Sequence, residues 1–193
     1  MLLAPWRSPL SRALHRNRSL PNARYFQLAT VRSNGHPANR TVVFRGFASD
    51  SDRLQMVTDT RSQKVDQIGN LGWSEICWYF PKTREQFRLN GSLILVRPDE
   101  PEDEAQERRS QIWQSLSDNA RSQFGWPHPG TPRSEHSSFE VQPLDPKSPP
   151  DTFCILMLEP VWVDHLELRG DPQDRTVYER NALDSWSVQS VHP

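Results

Sequence analysis

Short turn signals separate runs of alternating apolar and polar residues along this chain, and their spacing constrains the fold more than any other feature. Ser33-Asn34-Gly35 divides a run over residues 25–31 from one over 39–47. Ser49-Asp50-Ser51-Asp52 precedes a third run over 54–58, in which Leu54, Met56 and Thr58 share a face. Pro81-Lys82-Thr83-Arg84 then joins runs over 75–80 and 85–96. A long apolar β run over 153–168, a turn over 170–174, a return strand over 175–178 and a closing strand over 186–191 complete the pattern. Helices fit in few places. One is a basic segment over 6–18 that Pro21 ends, and another covers 61–70, with Asp59 or Thr60 as cap and Val65, Ile68 and Leu71 as its apolar stripe. Two shorter pieces lie between 100 and 124, the second capped at Ser117 or Asp118.

Six or more strands joined mainly by hairpins predict a mainly β protein with helices, α+β in class, built on a closed or partly closed antiparallel barrel. A Rossmann fold is disfavoured, because there is no G-x-G-x-x-G and no alternation of strand with helix. The 193 residues suit a single domain over 1–193, with a helical insert at about 100–124 and a proline-rich loop at about 125–151. That loop takes seven of the chain's 17 prolines, which excludes regular structure there.

Composition narrows the partners. With 23 basic and 24 acidic residues, no whole-molecule field favours nucleic acid or an anionic membrane, so any anion site must be local. Cys77 and Cys154 each sit in an apolar run with no second thiol or histidine at metal spacing, which reads as reduced buried thiols in a cytosolic protein. Pro5, Arg7 and Pro9 interrupt the N-terminus before an apolar run of signal-peptide length develops, and no stretch approaches the ~20 apolar residues of a membrane span. The expectation is a cytoplasmic protein acting on a small molecule.

Arg40 and Arg45 bracket Thr41-Val42-Val43-Phe44, and five residues of separation in one strand put their side chains on opposite faces unless the strand bulges. Alone, the pair reads first as two solvated strand-end arginines. The next segment changes that weighting. Residues 58–64 run from a strand end into a helix start, where the amides and macrodipole attract anions, the hydroxyls of Thr58 and Ser62 can donate, and Lys64 adds a full charge. A phosphate suits such a place, although Ser and Thr at helix starts also serve as plain caps.

Taken together, these runs resemble the pyridoxamine 5′-phosphate oxidase-like, FMN-binding split-barrel family. Arg40-Thr41-Val42-Val43-Phe44-Arg45 matches its R-x-V-L-L-K strand, Val57-Thr58-Asp59 its Y-T-N, Ser62-Gln63-Lys64 its S-R-K and Arg84-Glu85-Gln86 its E-R-Q. The spacing holds from about residue 25 to 91 and more weakly beyond. Residues 24–31 and Trp126-Pro127-His128-Pro129-Gly130 are similar to a subgroup whose substrate is commonly unassigned.

The resemblance implies a six-stranded antiparallel split β-barrel of the FMN-binding type, a homodimer with FMN at the subunit interface, and oxidase chemistry on a CH–NH2 or CH–OH donor. It implies phosphate contacts from Arg40, Ser62, Gln63 and Lys64, backbone contacts at Val42 and Val43, a contact from Thr58, and side chains of Arg45, Gln86 and Arg175 near the flavin ring. Two departures bear on activity. The family's F-W-Q-G stands here as His165-Leu166-Glu167-Leu168, and its R-L-H-D-R as Asp171-Pro172-Gln173-Asp174-Arg175. The triplet that holds the vitamin's phosphate ester is thereby missing, so a non-catalytic module binding flavin or haem on the same barrel is the alternative, and no catalytic residue is assigned.

Other residues weigh less. His128 and His136 lie in the proline-rich loop without further ligands at metal spacing, so no metal is expected. His136-Ser137-Ser138 stands where the family carries a Q-S-S flavin contact. Trp113 and Phe124 read as helix core, and Trp126 reads equally as a ligand cover or as a loop side chain packed on a neighbour.

Overall fold

The computed structural model describes residues 3–49, 51–133 and 143–193. Its elements follow the sequence pattern closely. They are α1 (Arg7–Asn17), β1 (Tyr25–Val31), β2 (Pro37–Val43), β3 (Gly46–Phe47), β4 (Leu54–Asp59), α2 (Gln63–Asn70), β5 (Trp73–Phe80) and β6 (Glu85–Val96). The insert forms α3 (Asp103–Ser115), α4 (Asp118–Ser122) and a 3-10 turn (Gln123–Gly125), and the chain ends in β7 (Phe153–Glu167), β8 (Asp174–Arg180) and β9 (Trp186–Val191).

All pairings are antiparallel, in the order β2-β1-β5-β6-β7-β4-β3, with β8 on β7 and β9 on β8. The long apolar run over 153–168 is one strand with two sets of partners. Phe153–Leu158 pairs with β4 and Trp162–Glu167 with β8, while β6 runs alongside both halves. The change falls at a register shift beside Asn90 and Gly91, opposite Pro160. Gly91 is needed there, since a Cβ would lie 2.0 Å from the Glu159 carbonyl oxygen.

The predicted strand over 39–47 is broken. The Phe44 N–H donates to the Arg24 carbonyl on the β1 side, whereas the Arg45 N–H donates to the Gln55 carbonyl on β4. Consecutive amides thus serve opposite ends of the sheet, and Gly46, at φ +131°, turns the chain into β3. The barrel opens at this point.

Alternation on β1, β5 and β6 sends Phe26, Leu28, Ile76, Trp78, Phe80 and Phe87 inward, all with no exposed surface. Trp78 sits at the centre, its ring 5.0–5.1 Å from those of Phe26, Phe44 and Phe80 and its indole N–H donating to the Ala23 carbonyl at 3.0 Å. Trp6 at the N-cap of α1 and Leu10 and Ala13 within it close this core. A second, smaller core joins the insert to the first half of β7, where Trp113 and Phe124 meet Phe153 edge-on at 5.1 and 5.0 Å. Among the described residues no helix is long and apolar enough to cross a membrane.

Candidate cofactor cleft

β2 and β4 lie at opposite ends of the hydrogen-bonded order, and between them is a cleft of about 620 Å³. Its first wall is β2 and its continuation, with Arg40, Val42, Val43 and Arg45. The end of β4 and the start of α2 contribute Thr58, Asp59, Ser62 and Lys64. The second wall comes from α4, the 3-10 turn and the loop after it, with Asn119, Gln123, Phe124 and Trp126.

Lys64 reaches back from the first turn of α2, its Nζ donating to Thr58 Oγ1 at 2.7 Å and Ser62 Oγ at 3.0 Å. Burial, and after it the charge of Arg40, push the ammonium below the ordinary lysine value. Arg40 is anchored on the neighbouring strand, donating to the Leu28 carbonyl at 3.1 Å, to Thr30 Oγ1 at 2.6 Å and to Gln67 Oε1 at 2.9 Å. Thr30 also donates to Gln67 Oε1, so the guanidinium is fixed from α2 and β1 together.

The one acid among the described residues that line the cleft is already engaged. Asp59 takes Arg61 Nε at 2.9 Å, Arg61 NH2 at 2.6 Å and the Arg61 backbone N–H at 2.8 Å. Ser62 is the N-cap of α2, yet its side chain makes no capping bond and serves Lys64 instead. Arg45 is half-buried, and its Nε has no hydrogen-bond partner. The donor set is therefore Arg40, Lys64, two hydroxyls and an uncapped helix start, with a further unsatisfied cation along β2. That arrangement fits a phosphate monoester at one end and an extended group running toward Arg45.

Seven of the ten expected residues meet here, namely Arg40, Val42, Val43, Arg45, Thr58, Ser62 and Lys64. Arg40 and Arg45 are expected on opposite faces unless the strand is irregular, and it is: the strand ends at Val43 and the break brings both to one cleft. The helix start is corrected, from 61 to Gln63, with Ser62 as cap in place of Asp59 or Thr60. Gln63 lies aside, its amide nitrogen 3.7 Å from where a Cβ on Gly130 would stand.

Gln86 and Arg175 are elsewhere, on the outer face of the sheet. Gln86 pairs with Leu166, and Leu166 with Arg175, so the three stand side by side across β6, β7 and β8. Arg175 holds Asp164 in a fork at 3.0 and 2.7 Å, and Cys77 Sγ lies 3.7 Å from Gln86 Oε1. Sequence reasoning passed over Arg61, Asn119 and Gln123, which carry no motif of their own. It also passed over Glu85, His165 and Glu167, which cluster under that face. Glu85 lies 2.9 Å from Nε2 of the His165 ring and Glu167 4.0 Å from Nδ1, and one ligand atom from each of the three lies within 4.8 Å of the others. His136-Ser137-Ser138 lies outside the described residues.

Comparison with known proteins agrees with this geometry. The family model for the pyridoxamine 5′-phosphate oxidase FMN-binding domain matches residues 3–97, which include β2, β4 and the whole of α2 but not the second wall of the cleft. The chain is 40% identical over 197 residues to pyridoxine/pyridoxamine 5′-phosphate oxidase 2 of Arabidopsis thaliana, covering 99% of this chain and 98% of that one. Its structure superposes with a TM-score of 0.96 on a pyridoxamine 5′-phosphate oxidase-related, FMN binding protein of Nostoc punctiforme, at 57% identity and full coverage of both chains. PhzG of Burkholderia lata, at 19% identity, TM-score 0.78 and coverage of 100% and 98%, shares the fold. The cationic end of the cleft, the split barrel around it and the full-length match together place this chain in the pyridoxamine 5′-phosphate oxidase-like, FMN-binding split-barrel family.

Proposed function

We propose that the chain is an FMN-dependent oxidoreductase of the oxidase type, acting on a CH–NH2 or CH–OH donor. The carrying observation is the pairing of Arg40 with Lys64 at an uncapped helix start, where the one acid among the described lining residues, Asp59, is already paired with Arg61. Two adjacent, partly buried cations, with no free carboxylate beside them among the described residues, favour an anionic ligand strongly.

Bound FMN supplies two-electron redox chemistry, and the protein contributes orientation and electrostatics. Arg40, Ser62 and Lys64 hold the phosphate, with Thr58 keeping the ammonium aimed at it. Backbone at Val42 and Val43 would hold the ring, and Arg45 would place positive charge beside it. Gln86 and Arg175 face away from the cleft of their own chain, so in this reading they act on the flavin of a second copy, and the working unit is a homodimer with FMN between subunits.

A purified preparation tests this directly. Flavin absorbance that survives gel filtration, with hydrogen peroxide released on addition of an amine or alcohol donor such as pyridoxamine or pyridoxine 5′-phosphate, is the expected result. A preparation that takes up no added FMN would sink the proposal. A second reading, a non-catalytic flavin carrier, is favoured by Leu166 standing between Gln86 and Arg175 and by Asp164 occupying Arg175. Bound flavin that neither donor nor chemical reductant reduces would select it.

A further inference from the structure

Arg61 sits between the phosphate residues in sequence but does something different in space. Its guanidinium is held by Asp59, and from there NH1 donates to the Trp126 carbonyl at 3.1 Å and NH2 to the Phe124 carbonyl at 3.4 Å. Neighbouring bonds reinforce the junction. The Thr60 N–H donates to the Thr152 carbonyl at 2.8 Å, and Thr152 Oγ1 donates to the Phe124 carbonyl at 3.0 Å. The end of β4 is thus stitched to the second wall of the cleft, 63 to 65 residues away in sequence.

The two anchored residues differ in what their side chains do. Phe124 is buried in the smaller core against Trp113 and Phe153. Trp126 is 43% exposed and lines the cleft. Pro127 and Pro129 limit the backbone freedom that would let it leave. Asn119, Gln123, Phe124 and Trp126 bring no charge to this wall, whereas Arg40, Arg45 and Lys64 lie across from it.

We infer that Arg61 is a positioning residue of the FMN cleft, fixing the carbonyls of Phe124 and Trp126 so that the Trp126 indole forms an apolar wall over the flavin ring, opposite β2. The inference rests on the FMN reading given above. The fork matters more than the charge. A guanidinium can meet the Asp59 carboxylate and two carbonyls at once, and a lysine ammonium at the same place cannot match that planar geometry. Because the described residues of this wall carry no charge and the wall faces the ring end, its loss weakens flavins with and without a phosphate alike. Loss of the Lys64 end weakens only the phosphorylated form.

The test uses the full chain as wild type, Arg61→Gln, Arg61→Lys, Trp126→Ala and Trp126→Phe. Affinities for FMN and riboflavin are read by flavin fluorescence, and exposure of the bound flavin by iodide quenching, with melting temperature as a folding control. Arg61→Gln and Trp126→Ala are expected to weaken FMN and riboflavin by the same factor, ~3–10-fold for loss of one aromatic contact, and to raise iodide quenching. Arg61→Lys should recover only part of the loss, and Trp126→Phe most of it. Wild-type affinity and quenching in Trp126→Ala overturn the inference, and that variant decides the matter if Arg61→Gln does not fold. Weakening of FMN alone in Arg61→Gln also overturns it, by making Arg61 a phosphate ligand. Failure of the wild type to bind FMN removes the underlying reading instead, and shows before any substitution is made.

Discussion

Lys64 Nζ lies 2.7 Å from Thr58 Oγ1, which ties the first turn of α2 to the last residues of β4 through an ammonium whose hydrogen bonds go to hydroxyls. A partly buried cation with neutral hydrogen-bond partners is costly without a ligand and rewarded when an anion arrives. The cleft is organised for a ligand at the expense of the apoprotein's own stability. Its geometry yields four expectations.

The first concerns affinity. Charge-assisted hydrogen bonds contribute ~1.5–3 kcal/mol each, so Arg40→Ala and Lys64→Ala should each weaken FMN by at least ~10-fold. The double variant should be purified nearly colourless. Circular dichroism and thermal melting should show the barrel intact, because neither residue belongs to the main core. Undiminished flavin retention in the double variant would rule out this cradle.

The second concerns pH. Burial, followed by the Arg40 charge, lowers the Lys64 pKa from 10.5. Between the folded value and 10.5 the unfolded chain binds the proton that the folded chain has released, so apoprotein stability rises with pH across that window. Urea titrations of the apoprotein should show this rise, and Lys64→Met should flatten it. FMN affinity should move the other way, falling as pH climbs through the lowered lysine value and losing that dependence in the same variant.

The third concerns assembly. Arg40 and Lys64 lie in the cleft while Gln86 and Arg175 lie on the outer face. Coexpression of an Arg40→Ala/Lys64→Ala chain with a Gln86→Ala/Arg175→Ala chain should therefore restore one intact site per heterodimer. Each variant alone should bind flavin weakly. Flavin content measured on the doubly tagged heterodimer checks this, and no recovery there would argue that each chain binds the flavin by itself.

The fourth concerns the scaffold. Trp78 has no exposed surface, touches three aromatic rings and donates its indole N–H to the Ala23 carbonyl. Trp78→Ala should cost ~3–5 kcal/mol in equilibrium unfolding by urea. Arg40 and Lys64 stand outside that cluster, so a loss of this size separates scaffold damage from damage to the cradle.

Much of this protein is determined by the sequence alone. Side-chain alternation and turn residues act over a few positions, so the strands, the hairpins and the two insert helices are legible in order, and the Arg40–Arg45 and Thr58–Lys64 segments can be picked out by type and spacing. What needed the tertiary structure is everything set by which strand a given amide finds as partner. The break after Val43 follows from Phe44 bonding toward β1 and Arg45 toward β4, and it turns two arginines expected on opposite faces into neighbours on one cleft. The division of the predicted site into a cleft group and an outer-face group follows from barrel closure, which no local pattern encodes. Arg61 is the clearest case. In sequence it is a cation at the first position of the predicted helix, with no motif of its own, and only the fold brings Phe124 and Trp126 within reach of its guanidinium.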